Sequence, residues 1–329
     1  MNLLGTGDAP LPPQVRGTVV TVGTFDGVHR GHLDVLARLV SRARAARLPS
    51  LLVTFEPHPL EIVRPEAAPL LLTTRHEKLR VLTGTGLDYL AIVPFTPEFA
   101  RRSAEEFVDL TLRDRYRMQK LLIGHDHGFG RGREGNEDTL RELGAARGFD
   151  VEIVPPVQSV LGGPVSSSRI RRAIAEGRLD DAAADLGRTY SVQGTVVAGE
   201  ARGRLLGYPT INVEPDSPRK LLPPDGVYAV EVVTPRGQFG GMLSIGGRPT
   251  FDDDHRTIEA YLFDVTDNFY GDVVQVGFVA RLRDIARFPD ATALVAQLAE
   301  DERVARRALT AFAGSGNVSG STLVPPSTQ

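Results

Sequence analysis

Along the first half of the chain, short apolar runs alternate with segments whose apolar residues recur at helical spacing. Residues 17–22 are apolar and β-prone and lead into a glycine turn. Leu33, Leu36, Leu39, Val40 and Ala43 then recur three or four apart, which predicts an amphipathic helix. Residues 50–55, 89–93, 120–123 and 151–154 read as further buried strands. Thr74 with Glu77 and Ser103 with Glu106 have capping-box spacing and predict helix starts, the second helix running through Tyr116. Residues 137–147 read as another helix. Strands alternating with helices predict a parallel sheet covered on both faces. Ligands in such sheets lie beyond the carboxyl ends of the strands. Three loops fall there: the one after residue 22, Phe55-Glu56-Pro57-His58-Pro59, and residues 124–130.

The pattern changes near Gly187. Strand-like stretches at 190–198, 227–234, 238–245, 257–265 and 273–282 follow one another with turn residues and no helices between them, which predicts an antiparallel barrel or sandwich. A last helix is predicted from about residue 291 to 312, and residues 166–186, helical except for Gly177, link the halves. There is no internal repeat. Residues 1–16 and 314–329 are rich in Gly, Pro, Ser and Thr and read as poorly ordered.

At 329 residues the chain is long enough for two domains with separate cores. A net charge of −3 offers no basis for a broad nucleic-acid or membrane surface. With no cysteine, disulfides and thiolate metal sites are excluded and a reducing compartment is expected. No apolar run reaches spanning length, and residues 1–16 lack the basic start and apolar core of a signal peptide. The expected location is the cytoplasm.

The chemistry concentrates where the first strand meets the first helix. In Gly23-Thr24-Phe25-Asp26-Gly27-Val28-His29-Arg30-Gly31-His32, a glycine turn precedes a helix start, so free N–H groups and the helix dipole favour a phosphate. His29 and His32 can donate hydrogen bonds to it, while Gly23 and Gly31 permit close backbone approach. In Val165-Ser166-Ser167-Ser168-Arg169-Ile170-Arg171, three hydroxyls stand at a helix start, and Arg171, with Arg169, can grip phosphate as a fork. Asp126 is a candidate oxygen ligand for Mg²⁺. His125 and His127 suggest a metal site, but without a third ligand the spacing is weak.

These segments, in this order with Thr54-Phe55-Glu56-Pro57-His58-Pro59 and Gly124-His125-Asp126-His127-Gly128-Phe129-Gly130, resemble the bacterial flavin adenylyltransferases. Four later segments resemble riboflavin kinases: Gly203-Arg204-Leu205-Leu206-Gly207-Tyr208-Pro209-Thr210-Ile211-Asn212, Leu222-Pro223-Pro224-Asp225-Gly226-Val227-Tyr228, Ile245-Gly246-Gly247-Arg248-Pro249-Thr250-Phe251 and Ile258-Glu259-Ala260-Tyr261-Leu262-Phe263. Nearly all of residues 17–312 thus resembles one family, bifunctional riboflavin kinase/FAD synthetase.

The resemblance implies a Rossmann-like nucleotidyltransferase domain with a parallel sheet at 17–186. It also implies an antiparallel riboflavin kinase-like β-barrel with a terminal helix at 187–313. Phe25 and Asp26 join the nucleotide site, and Phe55, Pro57, His58, Pro59, Phe129 and Arg283 contact flavin. Thr210 and Asn212 hold Mg²⁺ and the ATP phosphates. Gly203, Arg204 and Gly207 form a flap over the nucleotide, and Glu259 is the general base toward the ribityl 5′-hydroxyl. Two departures stand out: Ser244 where Asn is usual before Ile-Gly, and Ile285 near where Glu is common.

The resulting expectation is a two-step enzyme, with riboflavin and ATP giving FMN, and FMN and ATP giving FAD and pyrophosphate. Its partners are riboflavin, FMN, FAD and ATP, with no nucleic acid or membrane, in a monomer or weak homo-oligomer. The rivals are an FMN adenylyltransferase with a flavin-binding but catalytically weak barrel, a non-catalytic flavin-responsive regulator, and nucleotidyl transfer to another small phosphate. Against the regulator, the chain shows no helix-turn-helix pattern or basic stripe.

Overall fold

The computed structural model describes residues 1–4, 10–125, 128–199, 203, 206–247 and 256–314, with Arg133 described by its backbone alone. The chain divides after Ser166 into two compact units.

The first unit is built on a parallel sheet of six strands: β1 (Asn2–Leu4), β2 (Thr18–Val22), β3 (Ser50–Glu56), β4 (Tyr89–Pro94), β5 (Met118–Gly124) and β6 (Asp150–Val154). Their lateral order is β1-β4-β3-β2-β5-β6. Side chains alternate across the sheet, so successive residues feed two different cores. Val20, Val22, Leu51, Val53, Leu121 and Ile123 join one, and Val19, Leu52, Leu90, Ile92 and Leu122 the other. Because both faces are covered, β2 is buried at every position, as parallel strands generally are.

The helices of this unit are α1 (Arg30–Ala46), α2 (Pro59–Val63), α3 (Arg75–Thr83), α4 (Pro97–Ala100), α5 (Ala104–Glu106) and α6 (Glu137–Arg147). The apolar stripe of α1 buries Val35, Leu36, Leu39, Val40 and Ala43. Both expected capping boxes form, at Thr74 and Ser103. The helix begun at Ser103 widens into a π-helix over Phe107–Arg115. Within the N-terminal stretch whose composition reads as poorly ordered, Asn2–Leu4 pairs with β4 as an edge strand, and Leu4 and Leu11 are buried. Three residues are too few for a periodicity to show.

The second unit opens with α7 (Ser167–Ala175) and α8 (Leu179–Leu186), divided at Gly177 as expected. Its strands are β7 (Ser191–Val197), β8 (Thr210–Pro215), β9 (Gly226–Thr234), β10 (Gly237–Gly247), β11 (Arg256–Leu262) and β12 (Val273–Arg283). They close into an antiparallel barrel in the order β10-β11-β8-β7-β12-β9. Of the two arrangements the pattern allows, this is the barrel, and β8 is a strand the pattern missed. The final helix, α9 (Ala291–Gly314), lays Ala305, Leu298 and Leu309 over Ala229, Met242 and Phe263 on the outer face. Gly240 makes room for it, since a Cβ there would come within 2.9 Å of Leu309. The sequence boundary at 186/187 differs from the division after Ser166 because α7 and α8 pack on each other and α8 packs on β12.

Candidate active sites

In the first unit, chain order reverses across β2: β3 lies on one side and β5 on the other. Crevices at such points hold ligands in open α/β sheets. The loop after β2 runs into α1 with Phe25, Gly27 and Val28 all at positive φ (47°, 84° and 38°). His29 is the N-cap of α1, and its Nδ1 accepts from the His32 N–H at 3.3 Å. A neutral ring accepting at Nδ1 carries its proton on Nε2, so the tautomer is set by the cap. The two imidazoles stack at 3.6 Å between centroids, and His32 lies 4.6 Å from the Phe25 ring. Gly31 leaves the space: a Cβ there would stand 3.2 Å from the His29 ring.

Asp26, expected in the nucleotide site, is turned away and buried. Its carboxylate accepts from the Leu72 N–H at 3.0 Å, the Thr73 N–H at 2.9 Å and the Thr73 hydroxyl at 3.1 Å. Thr73 Oγ1 in turn accepts from the Gly27 N–H at 3.0 Å. The motif aspartate thus bolts the loop to the segment before α3. Phe25 is buried as well, and its ring lies at a tilt of 31° to that of His32.

The loops after β3 and β5 supply packing on one side and surface on the other. Phe55 and Phe129, expected against flavin, lie in the core, linked through Phe107, with Phe55 also 5.5 Å from Phe95. Pro57 is exposed, and His58 and Pro59 are half-buried. His58 caps α2, accepting from the Leu60 N–H at 3.2 Å while its own N–H donates to Glu61. Asp126 and His127 lie outside the described residues. Among the described residues no cluster of three metal-ligating side chains forms.

Sequence reasoning passed over Lys78. Its Nζ donates to the Thr24 carbonyl at 2.7 Å, beside Thr54, whose hydroxyl donates to the same oxygen at 3.1 Å. Desolvation pushes the Lys78 pKa down, against the opposing fields of Asp26 and Glu56. A cation on the first turn of α3 also opposes the helix dipole, which is the one signal the sequence held.

In the second unit, Ser167, Ser168, Arg169 and Arg171 lie on the first turns of α7, with Ser166 just before it. Arg169 Nε reaches the buried Asp185 of α8 at 2.8 Å, which ties the two helices together.

On the barrel, Glu259 of β11 stands opposite Asn212 of β8 on one side and Ser244 of β10 on the other. Paired residues in antiparallel strands project to the same face, and so do residues two apart. Ser244, Glu259, Asn212, Thr210 and Tyr261 therefore share the outer face, where Met242 and Tyr261 meet α9. Gly199 lies against this row, since a Cβ there would overlap the Asn212 amide. Gly203 turns the chain by accepting from the Leu206 and Tyr208 N–H groups, and Gly207 has φ 83°. Tyr208 packs edge-on against Tyr261 at 5.1 Å. Arg204 and residues 248–255 lie outside the described residues. Ile285 comes within 3.7 Å of where a Cβ on Gly246 would sit, so both departures from the family pattern border the end of β10.

Arg283, expected near flavin, is engaged elsewhere: its Nε and Nη2 donate to Asp301 of α9 at 2.9 and 2.6 Å, and its Nη1 to the Asp284 carbonyl at 2.8 Å.

The FAD synthetase family matches residues 11–169 and the riboflavin kinase family residues 186–309. The bifunctional riboflavin kinase/FMN adenylyltransferase of Escherichia coli K12 is 39% identical over 293 residues, 88% of this chain and 92% of that protein. Its namesake from Pseudomonas fluorescens is 38% identical over 297 residues, 90% of this chain and 94% of that one. A crystal structure described as a macrolide-efflux protein from Streptococcus pneumoniae superposes with a TM-score of 0.81 at 34% identity, over 90% of this chain and 95% of that one. Among the described residues of this chain, no helix is long and apolar enough to cross a membrane.

Proposed function

The chain belongs to the bifunctional riboflavin kinase/FMN adenylyltransferase family, and from that premise we propose which residues carry each step. It is a two-step enzyme of flavin cofactor synthesis: riboflavin is phosphorylated to FMN, and FMN is adenylylated to FAD.

For adenylyl transfer, the FMN phosphate attacks the α-phosphorus of ATP in line and pyrophosphate leaves. This chemistry calls for positioning and for donors on the developing oxygens. His29, with its proton held on Nε2, and His32 supply donors at the α1 terminus. Ser166, Ser167, Ser168 and Arg171 bind phosphate, Pro57, His58 and Pro59 border the flavin, and Asp26 holds the loop. We assign this step to residues 17–186.

For riboflavin phosphorylation, assigned to residues 187–313, the observation that carries the reading is the lateral row Ser244–Glu259–Asn212. Glu259 takes the proton of the 5′-hydroxyl as its oxygen attacks the γ-phosphorus. The hydroxyl of Thr210 and the amide of Asn212 are hard oxygen donors on one face of β8, which fits Mg²⁺. Such an ion, when bound, offsets phosphate charge. Gly203 and Gly207 shape the flap over the nucleotide. We place the enzyme in the cytoplasm, a reading supported by the absence of cysteine, and take it to act on small molecules as a monomer or weak homo-oligomer.

The test is a chromatographic time course with riboflavin, ATP and Mg²⁺, repeated from FMN. FMN followed by FAD is the expected result. FAD from FMN with nothing from riboflavin would leave a flavin-binding but catalytically silent barrel.

A further inference from the structure

The Lys78 side chain is half-buried at the start of α3, and the burial of its ammonium lowers its pKa against the opposing fields of Asp26 and Glu56. Among the described residues it makes one side-chain hydrogen bond, to the neutral carbonyl of Thr24. The two carboxylates that act on it through space are occupied elsewhere. Asp26 accepts from Leu72 and Thr73, and Glu56 pairs with Arg75 at 3.1 Å. The lysine also sits on the first turn of α3, where the helix dipole disfavours a cation. A desolvated charge without a closely paired counter-charge is costly, and structures keep one where a ligand completes it. Its position says which ligand: Thr24 follows β2, and Thr54 and Glu56 end β3, so the ammonium lies at the carboxyl edge of the sheet, beside the loop that leads to His29.

We propose that Lys78 is a phosphate-binding residue of the adenylyl-transfer site. Its remaining N–H donors meet an oxyanion of a substrate phosphate, carried by ATP or by FMN. The proposal rests on the adenylyltransferase reading above. In the reaction, the FMN phosphate oxygen forms the new bond to the α-phosphorus, and the bond to the α–β bridging oxygen breaks. Pyrophosphate leaves with that electron pair, and no proton has to move. The negative charge shifts among oxygens, and a fixed cation beside them steadies it throughout.

The test uses the full chain with Lys78→Met and Lys78→Arg. It measures FAD formation from FMN and ATP with KM for each, FMN formation from riboflavin, and thermal midpoint. The expected result is a loss in kcat/KM for FAD formation of about 100-fold or more in Lys78→Met, on the scale of removing one oxyanion donor. Lys78→Arg should regain about tenfold of it, since a cation still reaches the phosphate. The thermal midpoint of Lys78→Met should not fall, because a desolvated charge has been removed, and riboflavin phosphorylation should be unchanged. A rise in KM confined to ATP assigns the oxyanion to ATP, and one confined to FMN assigns it to FMN. Full FAD synthesis by Lys78→Met overturns the proposal. So does a loss shared with the kinase step and the thermal midpoint, which would mark a structural lysine. A wild-type chain that makes no FAD would overturn the underlying reading itself.

Discussion

Glu259 and Asn212 face each other across the β11–β8 pair, in direct antiparallel register, with Ser244 completing the row on β10. Directly opposed strand residues have Cβ atoms about 4.5–5.5 Å apart, close enough to serve one bound phosphate. A carboxylate on one strand and an amide on the next are thus fixed by the ladder itself, without a loop between them. Glu259→Gln keeps the shape and removes the carboxylate proposed as the base. Riboflavin phosphorylation should fall about 10²–10⁴-fold, the usual worth of a general base. FAD formation from FMN should be unchanged, and both rates can be read from one chromatogram. Parallel loss of the two would contradict separate sites.

Gly199 adds a steric check on the same row. Any Cβ at this position overlaps the Asn212 side chain, so Gly199→Ala must push the amide aside or move the backbone. The expected outcome is a raised Mg²⁺ requirement for riboflavin phosphorylation, by about tenfold, the equivalent of about 1.4 kcal/mol. Adenylyl transfer should keep its own Mg²⁺ dependence. A titration of both rates against Mg²⁺ makes the comparison.

Asp26 answers to stability as much as to activity. Asp26→Ala leaves the buried N–H groups of Leu72 and Thr73 without their acceptor. Each unsatisfied group costs about 1–3 kcal/mol, so a loss of about 2–5 kcal/mol is expected in urea unfolding of the first unit. FAD formation should drop with it because the loop carrying His29 loses its anchor. Asp26→Asn, which retains one acceptor oxygen, should lie between.

The aspartate also shows where sequence reading stops. The sheet was legible because Val19 and Val20, or Leu51 and Leu52, feed opposite cores in strict alternation, and Thr74 with Glu77 announced α3 by local chemistry alone. The motif residues were legible as a set, but not the direction in which each side chain turns. Asp26 and Arg283 find partners 46 and 18 residues away, a matter of tertiary packing. Strand β8 was hidden behind Pro209, which reads as a turn; its pairing comes from β7 and β11 on either side. Lys78 is unremarkable in sequence, and its desolvation exists only once α3 lies against the ends of β2 and β3.

The Arg283–Asp301 pair ties the end of β12 to α9, with Gln297 donating to the same carboxylate at 2.9 Å. Asp301 is 4% exposed and Arg283 23%. Removing one partner of a buried pair costs about 3–5 kcal/mol, and solvent on the arginine lowers that to about 2–3 kcal/mol for Asp301→Leu alone. Arg283→Met with Asp301→Leu should recover most of the loss, since no charge is then stranded. Urea melts of the two singles and the double close the cycle.

Glu231 sets a pH dependence whose sign is opposite to that of an ion-paired carboxylate. It lies on β9 between Gly240 of β10 and Gly277 of β12, on the face that α9 covers. Burial pushes its pKa up from 4.5, and a hydrogen bond from Gln238 pulls only partly against this. The native state therefore holds the proton more tightly than the unfolded chain does. That favours folding below the unfolded pKa, and the advantage is lost as pH rises through the higher native value. Above that value the half-buried charge is a standing cost. Glu231→Gln keeps the shape and takes the charge away. Its thermal midpoint should match the wild type near pH 4 and exceed it at pH 7, with the difference opening in the interval just above 4.5. Equal midpoints at both pH values would mean that water reaches the carboxylate under α9, and a lower midpoint at pH 7 would mean that the charge has a favourable partner there.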